Sequence, residues 1–590
     1  MKRLIILAAT LIAGLSACDS LLDKEPLDRV TQFDYFKTRS DLELFSNPFY
    51  DNLLDKTPYD EQNDLLVQMT LSDVLYGGDK RTVPNTGGGW SWGNLRRINT
   101  LLEYVDQCED KKAVTEYTAL AKFFRAAFYF DKVKRFGDVP WYEVQLGSAD
   151  EALYKPRDSR ELIMTNMIKD IDEAINSGGL TEDISTYRVN KWAALALKAR
   201  FCLFEGTYRK YHGINLEGHD YTYYLEEAAK AAKTIIDEGP YKLYSTKNPD
   251  KDYMMLFAQE NASTEEYILA IRNSYEAQVY HNATAYTLLP TQGRPGYTRK
   301  FINMYLMKDG KAFTDKFKTE WQTMPFTEEV KDRDPRLAQS IRTPGYKRIG
   351  AKRVQGPDLG VTITGYQPIK FVQDTTASGG QIDRNDRSTC DMPVFRYAEV
   401  LLNYAEAKAE LGEMDAAVWD QTIAPLRSRA GVTSVIPAKA DPYMEAYFLN
   451  TVTDKWILEV RRERGIELCL EMGLRWDDDM RWHMGDLLTS DNNPWTGIYI
   501  GSTSYTYDYT GLSTDDNGDP VPDFYIRPGE DTEHSIAISN TGANQTFSLN
   551  GEGNIVWEYR RVWSEKKYLR PIPLTAITRN PNLEQNALWK

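Results

Sequence analysis

Arg396-Tyr397-Ala398-Glu399-Val400-Leu401-Leu402-Asn403-Tyr404-Ala405-Glu406-Ala407 is the stretch whose reading decides the fold. Its apolar and alanine positions recur at the three- and four-residue spacing of a helix. Leu411-Gly412-Glu413-Met414-Asp415 interrupts the pattern, and Ala416-Ala417 reopens it. Two amphipathic helices joined across a glycine turn are the hairpin unit of tetratricopeptide-type scaffolds. The pattern therefore predicts a helix pair over 396–411 and 415–429, with a further helix over 441–472.

The same signature extends toward the N-terminus. Residues 112–136 carry Leu120, Phe123, Phe124, Ala127, Phe128, Phe130 and Val133 on one broad face, with Gly137 and Pro140 as stop signals. Residues 188–206 and 223–238 are alanine-rich, which lets neighbouring helices approach closely, and Gly239-Pro240 closes the second. By contrast, 240–395 and 484–560 are rich in Gly, Asn, Asp, Thr and Tyr, and they predict long loops with short strands. Such loops on a rigid scaffold are where binding groups usually sit. The helix pairs share no fixed period, so they predict repeat-like pairs and not a regular solenoid.

Met1-Lys2-Arg3 followed by an apolar run and Leu15-Ser16-Ala17-Cys18 has the anatomy of a secretory leader, with Cys18 as the first mature residue. The apolar run is shorter than the roughly 20 residues needed to span a bilayer. The expected attachment is lipid on Cys18, where at least two acyl chains anchor stably and one does not. The formal charge of −15 becomes −17 once Lys2 and Arg3 leave with the leader. An acidic body disfavours nucleic acid and polyanions unless a local basic patch overrides the average. Cys202 and Cys469 lie in apolar helical patterns and predict buried free thiols, while the pairing of Cys108, Cys202, Cys390 and Cys469 stays open. The five histidines are scattered, so no metal site or cofactor is expected. Asp515, Asp516 and Asp519 have the oxygen chemistry for calcium, with a solvated turn as the default reading.

Short motifs then resemble one family in order along the chain. Cys18-Asp19-Ser20-Leu21-Leu22-Asp23-Lys24-Glu25-Pro26 is similar to the start of the SusD/RagB-like outer-membrane lipoproteins of Bacteroidetes. Arg135-Phe136-Gly137-Asp138-Val139-Pro140, Arg333-Asp334-Pro335-Arg336-Leu337, the 396–407 stretch, and Arg475-Trp476 with Arg481-Trp482 resemble its later elements. The most specific match is C-terminal: Pro571-Ile572-Pro573, then Asn580-Pro581-Asn582-Leu583-Glu584-Gln585-Asn586.

The resemblance implies a mainly α, SusD-like fold, with four tetratricopeptide-like helix pairs as scaffold and a loop-rich, short-strand region carrying the ligand site. It implies a leader at 1–17, a lipidated tether at 18–35, an N-terminal helical region at 36–240 and a second region at 241–590. It further implies a cell-surface oligosaccharide-binding protein, not an enzyme, facing outward from the outer membrane. Such a protein delivers ligand to a SusC-like TonB-dependent transporter. Peptides or glycopeptides are the alternative ligands, and a lipid-anchored glycoside hydrolase is the alternative activity.

Sugars present C–H faces to aromatic rings and hydroxyls to short polar side chains and arginine. The glycine-rich stretch 79–94 fits that chemistry with Trp90 and Trp92. The family's pattern at this point implies Trp90 or Trp92 with Asn94 as ligand contacts, and Asp73, Lys80 and Arg81 as hydroxyl partners. A second aromatic group, Tyr280, Tyr286, Tyr297 and Trp321, lies in the loop-rich middle, and Tyr297 and Trp321 are the expected opposing contacts. Glu399, Glu406 and Glu410 fall near one helical face, and Asp477-Asp478-Asp479 invites comparison with a glycosidase carboxylate pair. Adjacent residues point in different directions, so the aspartate run does not itself make such a pair, and surface or ion-paired structural roles are expected for the three glutamates.

Overall fold

The computed structural model describes residues 35–53, 63–76, 81–352, 355–501, 548–556 and 560–590, together with four short strand segments between 513 and 537. The leader, Cys18, Lys80, Asp515, Asp516 and Asp519 lie outside the described residues. The principal helices are α1 (Arg39–Leu53), α2 (Gly93–Tyr104), α3 (Lys111–Phe136), α4 (Arg160–Asn176), α5 (Lys191–His212), α6 (Tyr221–Glu238) and α7 (Tyr397–Glu410). They continue with α8 (Ala416–Gln421), α9 (Ile423–Arg429), α10 (Pro442–Tyr447), α11 (Lys455–Glu467) and α12 (Leu474–Arg481). Strands are short: β1 (Leu66–Val67) pairs with β3 (Gly296–Tyr297), and β2 (Tyr267–Ile271) pairs antiparallel with β4 (Met392–Arg396). The fold is mainly α with few short strands, as the periodicity predicts.

Local chemistry sets the helix ends. Asp110 caps α3 by accepting from the amides of Lys112 and Ala113, and Gly137 at φ 72° ends it. Asn190 caps α5 by accepting from the Ala193 amide, and Asp220 caps α6. Helix α6 packs on α5 and again on α7, so residues on both sides of position 240 share one hydrophobic core. The α5–α6 approach depends on Gly206, where a Cβ would come within 2.8 Å of Leu225 Cγ. Neighbouring contacts of α2 with α3, α4 with α5, and α7 with both α6 and the α8–α9 pair fit a scaffold of helix pairs.

Two predicted helices are interrupted. The run 415–429 divides at Thr422, whose φ −122° and ψ −71° break the helix between α8 and α9. The run 441–472 divides into α10 and α11, because Leu449 and Asn450 adopt φ 56° and 55° and Asp454 starts a new cap. Cys202 and Cys469 are buried free thiols, as are Cys108 and Cys390.

The family-like motifs meet in a buried ionic cluster. All five N–H donors of Arg396 are engaged: by the side chains of Glu266, Glu467 and Glu471 and by the Glu467 carbonyl, at 2.7–2.8 Å. Glu467 also accepts from Arg429 and from Arg336. Arg336 pairs in turn with Asp334 at 2.7 Å and Glu463 at 2.6 Å. A second node joins Glu406 to Arg464, Arg481 and the Trp482 indole, and Asp478 to the same two arginines. Glu399 pairs with Arg200, and Glu410 with Lys210. These carboxylates are thus structural ion-pair partners.

Arginines hold the carboxyls of Glu467, Glu471, Glu459 and Glu406 below their ordinary value of 4.5, against the opposing effect of burial. A depressed folded-state pKa contributes stability that is complete above the unfolded value and lost as pH falls through the depressed one. The midpoint of guanidinium unfolding should therefore stay level from pH 7 to about 5.5 and fall steeply below about 4.5. Arg396→Ala, which leaves three buried carboxylates undermatched, should cost about 3–5 kcal/mol in the same measurement.

Candidate functional site

The glycine-rich loop is held in shape by its own backbone. Gly87, Gly88 and Gly89 take φ of 78°, 61° and 91°, a left-handed run that side chains disfavour. The Trp90 amide donates to the Gly87 carbonyl at 3.0 Å, and the chain then enters α2 at Gly93. Successive residues consequently face opposite ways. Trp90 and Trp92 line one groove, whereas Ser91 and Asn94 line a separate cavity.

The groove has a volume of about 650 Å³, within the usual range for small-ligand sites. Trp90 and Trp92 meet edge to face at 5.3 Å, and Tyr142 extends the aromatic wall 5.8 Å from Trp92. Each indole also packs inward, Trp90 on Phe136 and Trp92 on Phe128, so the rings are fixed by the core while lining the groove. Tyr154, 46% exposed, stands at the rim. Arg96 and Arg579 are exposed guanidiniums on the lining, joined by Ser148 and Thr575. Burial, together with the charge of Asp158, pushes the Tyr142 phenol up to about 12, so it remains a hydrogen-bond donor at neutral pH.

The C-terminal motif builds the opposite wall. Asn580 donates to the carbonyls of Leu153 and Lys155, and Asn582 donates to that of Tyr154 at 2.7 Å. Gln585 clamps Ile572 in both directions, accepting from its amide and donating to its carbonyl. Leu574 and Thr575 in turn donate backbone bonds to Pro84 and Asn85 at 3.0 Å. Buried Asn99 fixes the 142–144 segment by donating to the carbonyls of Tyr142 and Val144.

The expected contacts divide among several places. Trp90 and Trp92 come together in the groove. Arg81 and Asn94 line the neighbouring cavity of about 690 Å³, where Arg81 pairs with Asp73 at 3.0 Å. Trp321 lines neither space and sits against Arg299 and Tyr443. Tyr297 is a correction. It is fully buried, pairs with Leu66 across β1 and β3, and donates to Cys469 Sγ, so it is core and cannot face a ligand. Tyr142, Tyr154, Arg96 and Arg579 were not expected. Tyr142 and Arg579 had an available signal, an aromatic and a basic residue beside the Val139-Pro140 and Asn580-Pro581 turns, whereas Tyr154 and Arg96 had none.

Asp477 lines the second cavity and is ion-paired to Lys134, its carboxyl raised by burial. Asp478 and Asp479 are buried among arginines. Among the described residues no three His, Cys, Asp or Glu side chains cluster as metal ligands. No helix among them is long and apolar enough to cross a membrane.

The SusD family model matches residues 256–589, and a second, described as starch-binding associating with outer membrane, matches 35–195. The chain belongs to the SusD family. It is 24% identical over 524 residues to SusD-like protein P38 of Formosa agariphila, covering 82% of this chain and 92% of that one. A SusD-like protein of Bacteroides ovatus is 23% identical over 84% of this chain and 86% of its own length. Among solved structures, a SusD-like protein of Bacteroides fragilis superposes with a TM-score of 0.66 at 20% identity, over 96% of this chain and all of that one. A SusD-like carbohydrate-binding protein of the same species gives 0.63 at 22% identity, over 93% of this chain and all of its own. These likenesses carry the fold, and the SusD-like architecture expected from the motifs is present.

Asn580→Ala removes two bonds that hold the 153–155 wall and should cost about 1–2 kcal/mol. Hydrogen exchange at residues 148–155 should accelerate, with the amides of α5 unchanged.

Proposed function

We propose that this chain is a cell-surface, oligosaccharide-binding lipoprotein that captures glycan in the 90–92 groove and passes it to a SusC-like TonB-dependent outer-membrane transporter. The observation that carries this reading is the pair of core-braced indoles, Trp90 and Trp92, lining an open groove with Tyr142, Tyr154 and two exposed guanidiniums. Rings braced from behind offer flat apolar faces at little entropic cost, which suits sugar C–H surfaces. Arg96 and Arg579 supply planar, paired donors for vicinal hydroxyls. The likeness to a SusD-like carbohydrate-binding protein of Bacteroides fragilis supports the ligand class. The match of residues 35–195 to a family described as starch-binding associating with outer membrane supports the membrane.

Attachment through lipid on Cys18 rests on the leader sequence and keeps the groove facing outward beside its channel. The chain performs no bond cleavage in this reading. It binds through a few stacked rings and hydroxyl contacts, giving micromolar to millimolar affinity, about −8 to −4 kcal/mol. Weak capture suits a protein that must release its ligand to a transporter.

Affinity electrophoresis and calorimetry against a panel of glycans, peptides and glycopeptides test the assignment. A glycan in the panel should bind, and Trp90→Ala and Trp92→Ala should each weaken it about fivefold, equivalent to about 1 kcal/mol of ring contact. Trp321→Ala, away from the groove, should change affinity less than twofold. If both indole variants bind as tightly as the parent, the groove is not the site. If only peptides bind, the ligand class is wrong.

A further inference from the structure

The second cavity carries a charge that the acidic body does not explain. Seven basic side chains line it, among them Arg81, Lys132, Arg135 and Arg570, against two carboxylates, Asp131 and Asp477. Asp73 and Glu399 add pairing from beyond the lining, to Arg81 and Arg200. Within a chain of net charge −15, such a concentration creates a local field opposite in sign to the average.

Arg135 pairs with Asp131 at 2.8 Å, and Arg81 with Asp73 at 3.0 Å. Arg570 has no carboxylate within ion-pair distance among the described residues, and its guanidinium sits in the field of the other two arginines. Burial, then Arg135 and Arg81, push its ordinarily very high pKa down to about 10, with Asp131 and Asp73 only partly opposing them. The backbone holds this arrangement in place. The Arg570 amide donates to the Arg135 carbonyl at 2.6 Å, Asn586 donates to the Arg570 carbonyl at 2.7 Å, and Pro571 fixes the next residue. Three guanidiniums lining one cavity lose stability to mutual repulsion, and an anion bound among them relieves it.

The cavity also adjoins the aromatic groove. One loop separates them, with Trp90 and Trp92 on one side and Ser91 and Asn94 on the other. Arg135 lies against that loop, its Nη1 2.7 Å from where a Gly89 Cβ would stand. We infer that Arg81, Arg135 and Arg570 form an anion subsite for an acidic substituent, a uronate carboxylate or a sulfate ester, on the saccharide whose rings occupy the Trp90–Trp92 groove. The inference rests on the oligosaccharide-binding reading and narrows it to acidic glycans.

Calorimetry on the mature chain with two matched pairs tests it: oligogalacturonates with their carboxyl-reduced forms, and sulfated carrageenan oligosaccharides with their desulfated forms. The acidic member of at least one pair should bind about tenfold tighter than its neutral counterpart, the scale of one charge-assisted contact. The pair that responds identifies the anion. Arg570→Gln and Arg135→Gln should each erase most of that preference while leaving neutral binding intact, and Trp90→Ala should weaken both members. Thermal melting in sodium sulfate against sodium chloride at equal ionic strength supplies a readout free of sugar. Sulfate should raise the Tm of the parent more than that of Arg570→Gln, and the chloride melt reports whether the variant folds. Equal binding of acidic and neutral members, both weakened by Trp90→Ala, overturns the subsite and leaves the glycan reading standing. A preference for the acidic member that survives both arginine variants also overturns it. If no saccharide binds but the sulfate difference persists, the subsite stands and the glycan reading falls. If neither appears, both fall.

Discussion

A guanidinium at Arg396, fully buried, can exist only if carboxylates meet it from every side. Glu266 arrives from the start of β2, Glu467 from the end of α11, and Glu471 from the turn beyond it. Arg429 at the end of α9 and Arg336 in the Arg-Asp-Pro-Arg element share Glu467. No one of these segments can be displaced without leaving an unmatched charge in the interior, where a broken pair costs several kcal/mol. Swapping the entire cluster for apolar residues need not destabilise, since desolvation offsets most of the Coulombic gain. The cluster's consequence is geometric: it makes the arrival of five chain segments interdependent.

That interdependence gives a common physical role to motifs that lie far apart in the sequence. Arg333-Asp334-Pro335-Arg336, the 396–407 helix and Arg481-Trp482 are read most simply as components of two ionic nodes, while Arg475 pairs apart from them with Asp64 and Asp479. The C-terminal Asn-Pro-Asn element belongs to a different class. Its amides are spent on carbonyls of the 153–155 loop and on Ile572, so it shapes a surface instead of a core. Scaffold and groove are therefore specified by separate chemistry, charge pairing inside and amide clamps outside.

The long helices were legible because caps, period and stop residues agree, as at Asp110, the 120–133 face and Gly137. The breaks at Thr422 and at Leu449-Asn450 were not, since apolar period continues across them and non-glycine residues supply the unusual backbone angles. Tyr297 misled for a related reason. Gly296 beside it reads as a loop signal, yet a Cβ there would lie 2.2 Å from Thr364 Oγ1, so the glycine permits close packing of buried chains. In the 87–89 stretch the three glycines do serve positive φ, and the loop reading holds. Identical residue types thus carried opposite meanings, and only the neighbours brought by the fold distinguish them. The groove was half legible, because its indoles lie in one run while Tyr142, Tyr154 and Arg579 come from segments that the clamps draw in.

Net charge was the least local of the sequence signals and the one most altered by folding. A body at −15 repels anions at a distance, but repulsion between exposed charges decays over about 8–10 Å at physiological salt. Inside a cavity with low-dielectric walls, the nearest groups dominate. Arg81, Arg135 and Arg570 come from positions separated by up to several hundred residues, and no run of basic residues announces them. Their convergence follows from α3 and the C-terminal segment being bonded together at Arg135 and Arg570, a contact that the amide clamps around Ile572 and Asn586 impose. The clamps that shape the aromatic groove therefore also fix the charge beside it, so neither site can be assembled without the other.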